Sequence, residues 1–470
     1  MSDAAAASGH LTGYGTKGYR TYVLLTLTLV YTLNFVDRIL ISVVGRPIVD
    51  EFQLTNFQFG ILTGFGFAFL YTFLGIPIAS LSERVNRVRI IGVCVILWSV
   101  ATMLCGFTVG FATLLAARLL VGIGEAGCTP PANSIISDYY KRSARPTALG
   151  IYAVGVTAGG LLAQLFGGSL LKFFTWREAF IFVGAPGVLI GILLLLTVKE
   201  PPRGYSEPPG TKKDEHIPFL VALKEISSRP TFWIMSAGAT IAAFAGYALV
   251  GFQPLFIQYA KGLDASDTAL LFMAPIAVTG SIGAFLGGYL TELASKKHAT
   301  AICWVPGIAH LCCAPIYAMA FLVSGLIPML ILMMIAGALQ YFYLGAQYNI
   351  AQSVVSVRVR ATSVAVMLFL ANLIGYGAGP PFFGLLADMF SNGYFAGMDN
   401  SFALDSSCSL SADAADVVSA CLEGKAYGIR WANFSATCLF AVAGGLFLLA
   451  GTTFKRDSEA ASGVAETAAA

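Results

Sequence analysis

Twelve times along this chain a run of about 20 residues passes with scarcely a charge, the length at which an α-helix crosses the hydrocarbon core of a bilayer. The runs fall at 21–44, 57–81, 90–109, 111–132, 145–171, 178–198, 231–259, 266–291, 299–322, 327–351, 361–389 and 428–453. Backbone polar groups in lipid must be satisfied within the segment, so runs of this length are read as helices. Composition agrees. The chain is 57% hydrophobic and 11% charged, where a soluble domain carries about 25% charged residues. The fold class expected is an all-α membrane protein of twelve transmembrane helices. The first twenty residues are small and polar, with no apolar core before a cleavage site, so no cleavable signal is expected.

The polar breaks divide the runs into two groups of six. Residues 1–20 form an N-terminal segment and 21–198 the first group. Residues 199–230 are a linker opening on Lys199-Glu200-Pro201-Pro202-Arg203-Gly204, with Pro208 and Pro209 further on. Within it, Ile217 to Arg229 places Phe219, Leu220, Leu223 and Ile226 at helical spacing against Lys224, Glu225 and Arg229, which predicts a helix lying on the membrane surface. Residues 231–454 form the second group, interrupted by a polar loop at 390–427, and 455–470 a tail. Lys and Arg set orientation. With the N-terminus cytoplasmic, twenty of the 28 basic residues fall inside and six (Arg46, Lys172, Arg177, Lys261, Lys425, Arg430) fall outside. Both termini are therefore expected in the cytoplasm, with the protein spanning a plasma membrane, or an inner membrane in a Gram-negative cell. The 390–427 loop then faces out. It holds Cys408 and Cys421, which can bridge only in an oxidising compartment. The other seven Cys lie in or at the ends of apolar runs and read as small buried hydrophobes.

Four charges sit inside the apolar runs: Asp37 and Arg38 in the first, Arg118 and Glu125 in the fourth. A charge at the bilayer centre costs roughly 2.5–3.5 kcal/mol even on the mildest scale, and such residues normally face a bundle interior or a watery path. Arg118 and Glu125 are seven residues apart, about 20° short of two helical turns and roughly 10 Å along the axis, so they share one face. Asp37 and Arg38 diverge by about 100°, so one faces the path while the other reaches a packed neighbour. Away from the ends of its runs the second group has no charge. Its polar groups are Gln340, Tyr341, Tyr343, Gln347, Tyr348 and Asn349 in the tenth run, of which Gln340, Tyr343 and Gln347 share one face, and Asn372 in the eleventh. His310, in the ninth, reads as a packed side chain. Gly150, Gly155, Gly159 and Gly160 of the fifth read as close helix contacts. The buried charges have no catalytic Ser or His beside them, no phosphate-binding loop occurs and no spacing suggests a metal, so neither an enzyme nor a cofactor is expected. Nothing points to nucleic acid.

After the second run comes Ala79-x-Leu81-Ser82-Glu83-Arg84-x-Asn86-Arg87, and at the matching place in the second group Gly288-x-Leu290-Thr291-Glu292-x-x-Ser295-Lys296-Lys297. Paired segments of this kind mark the repeats of secondary transporters. Both resemble the Gly-x-Leu-small-Asp-Arg-x-Gly-Arg loop motif of the major facilitator superfamily, with Ala79, Glu83 and Asn86 standing where the motif has Gly, Asp and Gly. Within that superfamily, Asn34-Phe35-x-Asp37-Arg38, Arg118-x-x-x-Gly122-x-Gly124-Glu125-Ala126 and Val198-Lys199-Glu200-Pro201-Pro202-Arg203-Gly204 resemble the Spinster group of sphingolipid and lysophospholipid transporters. An aromatic-x-Asp-Arg first run also occurs in organic anion symporters.

The resemblance implies two pseudo-symmetric six-helix bundles working by alternating access, as a monomer. It implies that the first, fourth and tenth helices line a central cavity. Asp37 and Glu125 are then the proton-coupling carboxylates and Arg38 and Arg118 their counter-charges or substrate headgroup ligands. Asn34, Gln340, Tyr343, Gln347 and Asn372 form the polar wall. Glu83, Arg84, Arg87, Glu292 and Lys296 form a cytoplasmic gate. The activity implied is proton-coupled export of a lipid-like amphipathic substrate, with proton symport of a small organic anion as the alternative.

Overall fold

A computed structural model describes residues 12–207, 218–397 and 415–462. It has twelve helices long and apolar enough to cross a membrane: α1 Lys17–Val43, α2 Asn56–Ser82, α3 Arg87–Cys105, α4 Phe111–Tyr139, α5 Arg145–Leu170, α6 Trp176–Thr197, α7 Pro230–Lys261, α8 Ala265–Ser295, α9 Ala301–Leu322, α10 Leu326–Ser353, α11 Arg360–Ala396 and α12 Val417–Ala461. Their starts are written in the sequence. The hydroxyl of Thr16, the amide oxygen of Asn86 and the hydroxyl of Thr175 each accept a backbone N–H of the first helical turn, which satisfies a donor that the helix itself leaves orphaned.

The described residues gather into two compact units. One comprises Met1–Pro47 and Gly66–Lys213, the other Ile48–Phe65 and Asp214–Ala470. In the first unit α1 packs along α5, and α3 packs along α6 and α4. The α1–α5 approach is glycine-dependent: a Cβ at Gly159 would come within 2.5 Å of the Thr32 carbonyl and of the Phe35 side chain. Gly155 also faces α1, whereas nothing lies within 4 Å of a Cβ at Gly150 or Gly160. Of the four glycines expected to make close contacts, two do so here.

In the second unit α12 packs along α7, α9 and α11, and α8 along α10. Helix α11 runs on to Ala396 and α12 starts at Val417, so both reach into the stretch expected as the 390–427 loop. The linker helix forms over Phe219–Ser227. Its Ala222 and Ile226 are buried while Phe219, Leu220 and Val221 are exposed. The Glu225 carboxylate accepts from the Ser356 backbone N–H at 2.7 Å and hydroxyl at 3.1 Å, which ties the helix to the segment before α11.

Candidate functional site

All four charges of the apolar runs are buried in the first unit. Relative exposure is 2% at Asp37, 6% at Arg38, 0% at Arg118 and 1% at Glu125. Arg38 Nη2 donates to Glu125 Oε2 at 2.9 Å, an ion pair joining α1 to α4. The same nitrogen lies 3.3 Å from the Asn34 side-chain oxygen, one turn earlier on α1. Three aromatic rings surround the Arg38 guanidinium, with centroids at 4.7 Å for Phe35, 4.5 Å for Phe67 and 4.9 Å for Tyr71. Each such contact favours the cation by about 0.5–2 kcal/mol. A guanidinium tolerates this setting better than an ammonium because it is planar and weakly hydrated.

Asp37 points elsewhere, as the 100° divergence requires. Its Oδ2 accepts from the Thr102 hydroxyl of α3 at 3.1 Å. Arg118 reaches the backbone carbonyl of Asp37 at 3.4 Å and makes no carboxylate ion pair among the described residues. Its Nε and Nη2, Asp37 Oδ1 and Glu125 Oε1 are buried without a hydrogen-bond partner. Orphaned buried groups are costly and call for an explanation, and a charged network with unused donors and acceptors on both signs is suited to receiving a polar guest or a proton.

A second polar knot closes the α2–α3 end of the same unit. Arg87 is 1% exposed. Its Nε donates to Glu200 Oε1 at 2.6 Å, its Nη1 to Asp138 Oδ2 at 2.5 Å and to the Ser134 hydroxyl at 2.8 Å, and its Nη2 to the Pro201 carbonyl at 2.9 Å. Glu200 Oε2 accepts the Val88 backbone N–H at 3.1 Å. Arg203 donates to the carbonyls of Ser82 and Val85 at 2.8 and 2.9 Å, capping the end of α2. The Gly204 N–H reaches Asp138 Oδ1 at 2.9 Å. The Glu-Pro-Pro-Arg-Gly segment is thus a staple joining α2, α3 and α4 to the end of α6. Of the expected gate residues, Arg87 is committed inside its own unit, while Glu83 and Arg84 are exposed. Glu292 and Lys296 form an exposed pair at 3.0 Å on one helix face.

In the second unit Gln340, Tyr343 and Gln347 are buried at 6%, 8% and 4%, and Asn372 is half-buried in a π-helical stretch, Ala371–Ala378. The Gln340 amide packs against Gly246 of α7. His310 is packed: its Nδ1 lies 2.9 Å from the Pro306 carbonyl and its ring meets Tyr343, Phe440 and Phe447. Cys421 is disulfide-bonded; Cys408, its expected partner, lies outside the described residues. No group of His, Cys, Asp or Glu among the described residues is arranged to hold a metal.

Sequence reasoning missed Thr102, Phe67, Tyr71, Asp138 and the role of Glu200. Phe67 and Tyr71 are four apart on an apolar helix, a spacing that marks a shared face without naming what covers it. Asp138 lies beyond the fourth apolar run, 111–132, which ends just after Pro130 and Pro131. They are the first turn of a restarted helix, Thr129–Tyr139, where proline is well tolerated.

Twelve spans, two compact units and a buried cluster of opposite charges on α1 and α4 define a multi-pass membrane transporter of the secondary type. The chain belongs to the Major Facilitator Superfamily, whose family model matches residues 27–380. It is similar to a bacterial homologue of the human lysosomal transporter Spinster, crystallised in an inward-facing conformation, with 41% identity, a TM-score of 0.87 and coverage of 94% of this chain and 99% of that one. It is 28% identical to an MFS-type efflux pump of Mycolicibacterium smegmatis over 78% of this chain and 84% of that protein. It is 26% identical to the Sphingosine-1-phosphate transporter SPNS2 of Danio rerio over 77% of this chain and 75% of that protein.

Proposed function

We propose that this chain exports a lipid-like amphipathic solute in exchange for protons by alternating access, with Asp37 and Glu125 as the proton carriers and Arg38 and Arg118 as the headgroup ligands. The observation that carries the reading is the buried Arg38–Glu125 pair at 2.9 Å, set beside a carboxylate and a guanidinium with unused polar atoms. The two acids and two guanidinium groups balance in charge. Any new charge must therefore displace one already there or arrive with a proton, since an isolated buried charge is prohibitively costly.

That constraint links headgroup charge to the direction of coupling. A solute bearing both phosphate and ammonium sets its phosphate on an Arg and its ammonium on a carboxylate. The ammonium then occupies the place of a proton, so solute and proton exclude each other and move in opposite directions. A purely anionic solute competes with Glu125 for Arg38, and the displaced carboxylate must take a proton. Solute and proton then move together. The relatives named for efflux and for sphingosine-1-phosphate transport support the first case, and the shared aromatic-x-Asp-Arg segment of α1 supports the second as the alternative.

The test uses the full chain in proteoliposomes under an imposed pH gradient. A zwitterionic lysolipid or long-chain amino-phosphate is expected to accumulate on the side from which protons leave. A small carboxylate should show no uptake above empty vesicles. Accumulation of the carboxylate on the side that protons enter, with no movement of the lipid, would replace this reading with anion symport.

A further inference from the structure

The stretch Ile48–Phe65 belongs by sequence to the first six helices but is packed in the second unit. Two carboxylates hold it there. Asp388 of α11 is 7% exposed. Its Oδ1 accepts the Asn56 backbone N–H at 3.0 Å and the Asn56 amide at 2.9 Å, and its Oδ2 accepts the Phe57 backbone N–H at 2.9 Å. These are the first two N–H groups of α2. The Thr55 hydroxyl takes the third, that of Gln58, at 3.2 Å, within a reciprocal capping box. A negative side chain is at its most favourable at a helix N-terminus. Backbone packing reinforces the contact: a Cβ at Gly60 would meet the Pro380 carbonyl and one at Gly384 the Asn56 carbonyl.

The second point is Asp50, on the short helix Gly45–Phe52 that follows α1. Its Oδ1 accepts from the Tyr259 hydroxyl of α7 at 2.8 Å. The ammonium of Lys425 lies 5.9 Å from the centre of the same Tyr259 ring. Lys425 is on α12 one turn past the disulfide-bonded Cys421, and Ser391 of α11 donates to the nearby Gly424 carbonyl at 3.0 Å. Asp388 and Tyr259 are therefore presented by a braced surface of α7, α11 and α12.

We propose that Asp388 and Asp50 are positioning residues that form a two-point clasp holding the stretch Ile48–Phe65 on α7 and α11, made in the state seen here and released when this end of the transporter opens. The clasp rests on the alternating-access reading, because only a transporter whose six-helix groups move apart at one end must let go of a segment joined covalently to one group and packed on the other. The Lys and Arg distribution puts the clasp at the extracytoplasmic end. The segment leaves and rejoins the first unit beside glycines, Gly45 before it and Gly64 and Gly66 at its close, and Gly64 already interrupts α2 between Thr63 and Phe65.

The experiment reads opening without reading transport. Val49, 2% exposed and next to Asp50, is replaced by Cys in a chain whose seven free cysteines are Ala, with the Cys421 bridge left intact. The protein is reconstituted in liposomes and the modification rate by a membrane-impermeant maleimide is followed. Loss of a helix N-cap contact shifts an equilibrium by roughly 2- to 30-fold, so Asp388→Ala is expected to speed modification by that factor. Asp388→Asn keeps one acceptor and should fall between. Tyr259→Phe removes a single hydroxyl and should produce a smaller acceleration, which also covers the case that Asp388→Ala fails to insert. Unchanged rates in Asp388→Ala, or in Tyr259→Phe where the former is not recovered, would overturn the clasp. Because no solute or pH gradient enters the assay, failure of the proton-coupling reading would leave this result untouched.

Discussion

Arg38→Ala is expected to abolish transport and to destabilise the protein by about 3–5 kcal/mol, the usual cost of removing one member of a buried ion pair. The loss has three parts. Glu125 keeps its burial but forfeits its ion-pair partner at 2.9 Å. The cage of Phe35, Phe67 and Tyr71 closes over a void. Asn34 loses the donor at 3.3 Å. The double variant Arg38→Ala/Glu125→Ala separates charge from packing. With both charges gone, most of the electrostatic part should return, because replacing a whole buried pair by apolar groups is often neutral. Thermal unfolding of the purified single and double variants in detergent checks this. A double variant no more stable than Arg38→Ala would mean that the pair matters through packing alone.

Arg87→Ala is expected to be at least as damaging to stability and to leave the α1–α4 cluster chemically intact. Arg87 donates to four groups on two segments, α4 and the stretch after α6, and its removal leaves the carboxylates of Asp138 and Glu200 without their shared cation. About 3–5 kcal/mol is again the scale. Arg87→Lys should recover little. A lysine ammonium is a compact point charge and cannot span two carboxylates, a hydroxyl and a carbonyl as the planar fork does. The measurement is the unfolding midpoint together with expression in the membrane. An Arg87→Ala protein as stable as the parent would remove the staple from the account.

The twelve spans, the depth of the four charges and the shared face of Arg118 and Glu125 were legible because hydropathy and the 3.6-residue period are local properties of the chain. The divergence of Asp37 from Arg38 was legible for the same reason. Partner choice was not. Nothing in the α1 sequence says that Arg38 meets Glu125 while Asp37 meets Thr102, since that depends on the rotation of α3 and α4 about their axes. The Glu-Pro-Pro-Arg-Gly segment stood out as a motif, yet its function as a staple became visible only with Arg87 and Asp138 placed beside it. Asp388 carried no signal at all: a lone carboxylate near the end of an apolar run reads as an exposed boundary residue, and its partners are backbone amides more than 300 positions away.

If Glu125 and Asp37 carry the proton, solute exchange and gradient-driven accumulation must separate once either carboxylate is neutralised. Exchange of labelled for unlabelled solute across a membrane needs no net proton movement, whereas accumulation driven by a pH gradient does. Glu125→Gln and Asp37→Asn, which keep side-chain shape and lose the titratable group, are predicted to retain exchange and to lose gradient-driven accumulation in at least one of the two. Parental accumulation in both variants, with unaltered dependence on the gradient, would contradict the account.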